Sequence, residues 1–172
     1  MKLLLSVLSA FLFCQMPLAQ TSSPAPTATQ LVGTWKLVSV EDTANGKTQP
    51  AARYGPHPVG FLMYEADGYM CATLGQGDRP AWKNPAQATD AEKIAYYDTL
   101  VAYCGTYKLD PAKSMVTHYP TIAWMPTYVG STQPRPFRLE GDKLIITVTE
   151  GISDLGIEKR VLVWQRATPM AQ

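Results

Sequence analysis

The stretch YGPHPVGFLMYEADGYMCATL, from Tyr54 to Leu74, decides the fold of this chain. It contains two apolar runs rich in β-forming residues, and a short polar segment that includes Asp67-Gly68 joins them. Asp-Gly between such runs predicts a β-hairpin, because glycine readily takes the positive φ that a tight turn requires. Pro56 and Pro58 disfavour a helix and remove two backbone donors, so they indicate an extended lead-in to the first strand.

Both strands of this hairpin carry Tyr, Phe, Met or Leu on more than one face. A sheet with one face in water shows a clean alternation of apolar and polar residues, which this stretch lacks. The pattern therefore indicates a sheet that is covered on both sides or curled around an interior. Residues of this kind form the wall of a cavity for an apolar ligand, or they form an ordinary filled core.

The chain has 172 residues, which suits a single domain with a sizeable core. Residues 1–19 contain Lys2, then an apolar run, then the small residue Ala19, an order typical of a secretory signal peptide. The apolar run is shorter than the roughly 20 residues of a membrane-spanning helix. We expect cleavage after Ala19, export to the periplasm or out of the cell, and no membrane insertion afterwards. A lipid anchor on Cys14 is the alternative, which the bulky Phe13 disfavours.

The predicted mature chain divides into three parts. Residues 20–30 are a polar, Pro-rich tether, residues 31–167 form the folded domain, and residues 168–172 are a tail. Fourteen basic and fourteen acidic residues remain once Lys2 is removed, and no basic run occurs. This balance gives no indication of a nucleic-acid partner.

Two cysteines remain in the mature chain, Cys71 and Cys104, each in an apolar, strand-like run. Export would permit a disulfide between them, whereas cysteines in such runs are also commonly buried as free thiols. The sequence leaves this choice open. The two histidines, His57 and His118, lack the spacing of metal ligands, so we expect neither a metal site nor a cofactor.

Two further segments outline the first strand and a helix. In the run from Leu31 to Val40, strict alternation places Trp35, Leu37 and Ser39 on one face. Farther along, Thr89 and Glu92 form a capping-box pattern that predicts the start of a helix. We expect this helix to lie against a sheet edge or to cover an opening with an apolar stripe at three- and four-residue steps, formed by Ile94, Tyr97 and Val101.

A second hairpin gives the best prediction of strand register. Gly141-Asp142 between two β-rich runs is a two-residue turn with glycine first, and it pairs Glu140 with Lys143. Because alternate residues of a strand share a face, the register places one arginine at the end of an otherwise apolar face. That face consists of Arg135, Phe137, Leu139, Leu144, Ile146 and Val148.

About eight to ten short strands, mostly linked by hairpins, predict an all-β fold. An antiparallel sheet of this kind closes as a barrel or folds as a sandwich. Hairpins between strands adjacent in sequence favour the up-and-down barrel, with the one short helix packed on it.

Several motifs resemble a known family. Gly33-Thr34-Trp35 is similar to the Gly-x-Trp mark of lipocalins, and Arg166 is similar in position to the arginine that packs on that tryptophan. From Leu31 to Arg166 the chain resembles the bacterial lipocalin-like domain family of exported and biosynthesis-associated proteins. The longer motifs that carry this resemblance are Tyr54-Gly55-Pro56-x-Pro58-x-Gly60-x-Leu62-x-Tyr64, Asp67-Gly68-Tyr69-Met70, Arg79-Pro80, Gly105-Thr106-Tyr107 and Val116-Thr117-His118.

The resemblance implies a calycin-type, up-and-down lipocalin-like barrel with an interior pocket. It also implies a structural role for Gly33, Trp35 and Arg166, with the guanidinium stacked on the indole. One departure is Tyr119, where relatives tend to carry a second histidine after His118.

The interior of an eight-stranded barrel is either filled by side chains or holds one small ligand. We expect the small residues Gly60, Ala72 and Gly105 to leave space, and Arg135 to pair with a ligand carboxylate. The alternative for Arg135 is an ordinary rim salt bridge. The predicted ligand-binding residues are Tyr64, Met70, Ala72, Tyr107, His118, Trp124, Arg135 and Phe137.

Three functions compete at this point. The first is binding of a small apolar or amphipathic molecule inside the barrel. The second is catalysis by a cofactor-free isomerase, cyclase or hydrolase, in which His118 acts as acid or base and Tyr64 as a hydroxyl donor. The third is a structural or interaction domain with a filled core, in which His118 is simply a hydrogen-bonded strand residue. No nucleophile motif or carboxylate pair accompanies His118, which favours binding over catalysis.

Overall fold

The structure, a computed structural model, describes residues 27–168. The predicted signal peptide, most of the tether and the end of the tail lie outside the described residues. The described chain contains nine strands, two α-helices and five short 3-10 turns. The helices are α1 (Ala28–Leu31) and α2 (Asp90–Asp98), and the strands are β1 (Gly33–Ala44), β2 (Lys47–Pro50), β3 (Pro58–Tyr64), β4 (Tyr69–Gln76), β5 (Leu100–Asp110), β6 (Met115–Ala123), β7 (Gln133–Glu140), β8 (Lys143–Val148) and β9 (Lys159–Arg166).

The strands form one closed antiparallel barrel. Consecutive strands pair with each other from β3 to β9, and β9 pairs back onto β1. Strand β1 is long enough to have two further partners: residues 33–36 pair with β3, and residues 41–44 pair with the extra strand β2. The predicted all-β, up-and-down barrel is therefore confirmed.

Both hairpins that the sequence predicted are present, and the one at Gly141-Asp142 has the predicted register. Gly68 has a φ of 93° in the turn between β3 and β4, and Tyr64 pairs with Met70 across it. Gly141 has a φ of 58°, and the ladder beyond it pairs Phe137 with Ile146. Only glycine takes such φ values at little cost, so the two glycines fix both turns.

One end of the barrel is closed by packed side chains, and we call it the closed end. The Trp35 side chain is fully buried, and its indole Nε1 donates to the carbonyl oxygen of Leu31 at 2.9 Å. The guanidinium carbon of Arg166 lies 4.1 Å from the centroid of the Trp35 ring, and Nη1 donates to the carbonyl oxygen of Val32 at 3.0 Å. Burial of the indole and a cation–π contact therefore act together here.

Strand β1 departs from strict alternation. A bulge between Leu37 and Ser39 shifts the register, so Val40 and Asp42 are buried while Ser39 is half-buried. The predicted face of Trp35, Leu37 and Ser39 is therefore wrong at its third member. A bulge inserts one residue that the alternation rule does not count.

Helix α2 begins as predicted but does not bury the predicted stripe. Thr89 Oγ1 accepts from the Glu92 backbone N–H at 3.3 Å, and Glu92 Oε2 accepts from the Thr89 backbone N–H at 2.7 Å. The helix ends at Asp98, so Val101 belongs to strand β5, and the Ile94 side chain is 59% exposed. The predicted stripe of Ile94, Tyr97 and Val101 is therefore wrong. None of the helices within residues 27–168 is long and apolar enough to cross a membrane.

Cys71 and Cys104 form a disulfide. Cys71 on β4 and Cys104 on β5 are directly paired residues of neighbouring strands. This resolves the choice that the sequence left open. The bond joins two strands of the barrel across a connection that carries helix α2.

Candidate ligand-binding site

A cavity of about 370 Å³ occupies the barrel at the end away from Trp35, which we call the open end. Its walls are inward-facing residues of the strands. Its mouth is bordered by a 3-10 turn at residues 52–54, the connection between β6 and β7, and the loop between β8 and β9. The apolar part of the wall consists mainly of Leu62, Ala72, Leu74, Val101, Ile146 and Leu162.

The inner boundary of the cavity contains a chain of three hydrogen-bonded side chains, which we call the Tyr–His–Tyr chain. His118 Nε2 lies 2.7 Å from the Tyr64 hydroxyl, and His118 Nδ1 lies 2.8 Å from the Tyr103 hydroxyl. All three side chains are buried. His118 and Tyr103 line the cavity, whereas Tyr64 contacts His118 from outside the lining. The chain links β3, β6 and β5 across the barrel interior.

The Tyr–His–Tyr chain is uncharged at neutral pH. Burial, assisted by the positive charge of Arg135, lowers the pKa of His118 to about 3. Burial also raises the pKa of Tyr64 and the pKa of Tyr103. Desolvation disfavours the charged form of every group, which explains why the histidine and tyrosine values move in opposite directions.

Arg135 is buried on the inner face of β7 and lines the cavity, as the register placed it. Its Nη1 donates to the carbonyl oxygen of Pro134 at 2.8 Å. Its Nη2 donates to the Tyr128 hydroxyl at 2.8 Å and to Gln133 Oε1 at 2.7 Å. It makes no salt bridge with any residue that the structure describes. Because both hydrogens of Nη2 are engaged, a carboxylate bound through both terminal nitrogens would have to displace Tyr128 or Gln133.

A second arginine of the lining has a carboxylate partner. Arg160 donates from Nε and Nη2 to the two oxygens of Asp42 at 2.7 and 2.8 Å, and both side chains are buried. Its guanidinium carbon also lies 5.2 Å from the centroid of the Tyr54 ring. Burial lowers the pKa of Arg160, but the hydrogen bond and charge of Asp42, together with Tyr54, more than offset this, so the pKa is raised. This pair neutralises its own charge and leaves Arg53 and Arg135 as the lining arginines without a carboxylate among the described residues.

Three buried nitrogen donors of the lining have no hydrogen-bond partner within residues 27–168. They are Trp124 Nε1, Trp164 Nε1 and Arg53 Nε. Buried donors in folded proteins are nearly always hydrogen-bonded, so three exceptions around one cavity call for an explanation. Three donors without a partner therefore belong to residues that line the cavity.

Four of the predicted ligand-binding residues line the cavity: Ala72, His118, Trp124 and Arg135. Tyr64 reaches the cavity only through His118. Met70 and Phe137 are buried in the core but are not part of the lining, and Tyr107 is half-buried, with its hydroxyl donating to the carbonyl oxygen of Glu65 at 2.9 Å.

Of the three small residues expected to leave space, only Ala72 borders the cavity. A Cβ on Gly60 would overlap the carbonyl oxygen of Thr73, and a Cβ on Gly105 would overlap that of Tyr119. These glycines therefore mark close approaches of neighbouring strands, not empty space, which corrects the expectation for both.

Sequence reasoning missed Tyr103, although alternation along β5 could have found it. Val101, Tyr103 and Gly105 are buried at alternate positions, and Tyr107 continues the same face. Asp42 was missed because the β1 bulge turns it inward. The mouth residues Arg53 and Tyr128 come from connections for which the pattern gives no direction. No group of three or more metal-ligating side chains occurs within the described residues.

Comparison with known proteins agrees with the barrel. A family model described as a lipocalin-like domain matches residues 32–167. A search among curated proteins found no match. Among solved structures, the chain is similar to the lipoprotein YedD from Klebsiella pneumoniae subsp. pneumoniae MGH 78578, with 11% identity and a TM-score of 0.37 over 88% of this chain and 84% of that one. It is also similar to an uncharacterized protein from Bacteroides eggerthii DSM 20697, with 13% identity and a TM-score of 0.41 over 80% of this chain and 99% of that one.

At such low TM-scores the two solved structures carry no argument. The family match is different in kind, because it extends over nearly the whole barrel from the start of β1 to the end of β9. On that match, the chain belongs to the lipocalin-like domain family.

Proposed function

We propose that this protein binds a small apolar or amphipathic molecule inside the open end of the barrel. The observation that carries the proposal is the cavity of about 370 Å³. Small-molecule sites in proteins usually measure about 300–1,000 Å³, so the cavity is large enough for one compact ligand. The third possibility, a domain whose interior is filled by its own side chains, fits this volume poorly.

The composition of the lining supports the same proposal. Aliphatic and aromatic side chains together make up most of the wall, and the polar groups gather at the inner boundary and the mouth. An apolar concavity with a few converging polar groups is the usual make-up of a ligand site. The arrangement suits an apolar body with one anionic or carbonyl end. The signal-peptide pattern of residues 1–19 supports export, so we place this binding in the periplasm or outside the cell.

Catalysis is the second candidate, and the Tyr–His–Tyr chain is the observation that favours it. A histidine held between two hydroxyls in a cavity is a geometry that could transfer protons. The pKa values weigh against this reading, because an efficient acid or base has a pKa near the working pH. The pKa of His118 is lowered to about 3 and those of its tyrosine partners are raised. Binding therefore remains the better-supported function.

Native mass spectrometry of the protein purified from its own source tests the binding proposal. We expect a co-purifying small molecule on the wild-type protein. The Ala72→Phe variant should lose it, because a phenyl ring at this lining position fills part of the cavity. Thr73→Phe is the matched control, since Thr73 is the next residue of β4 and faces outward. A ligand mass on both variants, or on none of the three proteins, would contradict the proposal.

A further inference from the structure

The positions of the hydrogens in the Tyr–His–Tyr chain follow from its surroundings. A neutral imidazole has one N–H donor and one acceptor nitrogen. The Tyr64 hydroxyl is completely buried, and His118 Nε2 is its hydrogen-bond contact within the described chain. If Nε2 carried the proton, Tyr64 would have to accept, and its own hydrogen would be left without an acceptor. A buried donor without an acceptor is energetically unfavourable.

The other tautomer satisfies all the groups of the chain. Tyr64 donates to His118 Nε2, and the proton on Nδ1 is donated to the Tyr103 hydroxyl oxygen. The Tyr103 hydrogen is then not used within the chain. Because Tyr103 lines the cavity, this hydrogen can be donated to a bound molecule. The buried Tyr64, which never meets the ligand, thus determines that Tyr103 is a donor.

Other polar groups around the cavity are also hydrogen-bond donors, in agreement with the assignment of Tyr103 as a donor. Trp124 Nε1, Trp164 Nε1 and Arg53 Nε are donors without a partner among the described residues. Two acceptors at or beside the lining are already engaged, since Gln133 Oε1 accepts from Arg135 and Asp42 accepts from Arg160. The exposed Glu150 lies at the mouth, in the loop that follows β8. The interior therefore offers N–H and O–H groups to a ligand and few free acceptors.

From this geometry we infer the ligand class: molecules with a carbonyl-type oxygen, such as a ketone, an ester or a carboxylate, which Tyr103 recognises by donating its hydroxyl hydrogen. Ammonium compounds of the same shape should bind more weakly, because their N–H groups would meet other donors in the interior. This inference rests on the proposed binding function and adds its specificity. Arg135, Trp124 and Arg53 line the same cavity and add positive charge or N–H groups to it.

The first test concerns the tautomer and needs no ligand. Long-range ¹H–¹⁵N NMR of the full chain distinguishes a protonated Nδ1 from a protonated Nε2 in His118. We expect protonated Nδ1 and unprotonated Nε2 between pH 6 and pH 8. The reverse tautomer would mean that Tyr103 donates to His118, and it would overturn the inference. His57 is exposed and serves as the reference signal.

The second test uses four probes of nearly the same shape: 2-acetylnaphthalene, 2-naphthoate, 2-ethylnaphthalene and 2-naphthylmethylammonium. Titrations followed by tryptophan quenching should rank the ketone and the carboxylate above the hydrocarbon, with the ammonium weakest. We expect a roughly tenfold preference for the ketone over the hydrocarbon, the size of one good hydrogen bond. In Tyr103→Phe this preference should shrink to about threefold or less, while the hydrocarbon binds as before. Tyr69→Phe, on an exposed tyrosine, is the control.

The outcomes separate this inference from the proposed function. Equal binding of the ketone and the hydrocarbon by the wild-type protein would overturn the inference and leave the binding function standing. Binding of none of the four probes would count against both. An unchanged ketone preference in Tyr103→Phe would remove Tyr103 from recognition while the acceptor class of the ligand survived.

Discussion

The two ends of the barrel are built from the same strands but differ in whether their buried polar groups have partners. At the closed end, the indole N–H of Trp35 has a backbone acceptor and Arg166 covers its ring. At the open end, the buried donors Arg53 Nε and Trp124 Nε1 have no partner within residues 27–168, and two arginines have no carboxylate there. The closed end is therefore satisfied by its own residues, whereas the open end is left with groups that a second molecule can satisfy. Under the binding function proposed above, stability and recognition are separated along the barrel axis.

The open end also contains one specific contact between strands, the buried ion pair of Asp42 and Arg160. Both are buried, and a buried ion pair is worth little on balance because desolvation offsets the attraction. What the pair does fix is geometry: it joins β1 to β9 where the ladder between them approaches its end. The two ends thus differ in kind, with apolar packing at one and polar bonding at the other.

The largest effect that tests this comparison is expected at the closed end. Trp35→Ala should lower the free energy of unfolding by about 3–5 kcal/mol, because a fully buried indole is removed and a cavity is left. Trp124→Ala, at the mouth and half-buried, should cost less than half as much. Chemical denaturation measures both. A loss below about 1 kcal/mol for Trp35→Ala would mean that Trp35 contributes little to the stability of the core.

The next effect concerns the ion pair at the open end. Asp42→Ala should lower the free energy of unfolding by about 3 kcal/mol, because Arg160 is left buried without its carboxylate. The double variant Asp42→Leu/Arg160→Met should recover most of this loss, since it replaces both charges by apolar groups of similar size. If the double variant were as unstable as Asp42→Ala, the ion pair would stabilise the fold beyond neutralising its own two charges. Chemical denaturation of both variants measures the difference.

The smallest effect is a pH dependence caused by His118. Its pKa is about 3 in the folded protein against an ordinary value of 6.5, so below pH 6.5 the unfolded chain binds a proton that the folded chain does not. Stability must then fall as the pH falls, by about 2 kcal/mol between pH 8 and pH 5. Thermal or chemical unfolding at a series of pH values measures this slope.

Two variants show whether this slope belongs to His118. His118→Gln should remove most of the pH dependence in the same window, whereas His57→Gln, on an exposed histidine, should keep it. An identical slope in the His118 variant would assign the proton uptake to other groups. It would also remove the main reason for treating the Tyr–His–Tyr chain as neutral.

The features that the sequence predicted best depend on a few neighbouring residues. The Gly141-Asp142 turn was sufficient to place Arg135 and Phe137 on the inner face, because a two-residue turn leaves no freedom in register. The Asp67-Gly68 hairpin was also predictable as a turn, but its four-residue connection, from Glu65 to Gly68, left its register open.

The features that the sequence could not predict depend on local breaks in regularity. A bulge in β1 turns Asp42 inward, and a second irregularity between Cys104 and Gly105 shifts the pairing of β5 with β6. No residue pattern in the sequence indicates either irregularity. Helix α2 misled the prediction in another way, because apolar residues at helical spacing ran on to Val101 and concealed the start of β5. On this strand the prediction chose Tyr107 and passed over Tyr103, although both lie on the same face of β5.

The disulfide between Cys71 and Cys104 would keep the two parts of the chain attached after a cut between the cysteines. The cysteines are 33 residues apart, and the connection between them carries the exposed helix α2. A protease that cuts this helix would therefore produce two polypeptides that stay covalently attached, each still holding its own strands of the barrel. The nicked and the intact protein would migrate together until a reductant is added. This surface segment is thus a place where the chain can be opened, or a label inserted, without parting the molecule.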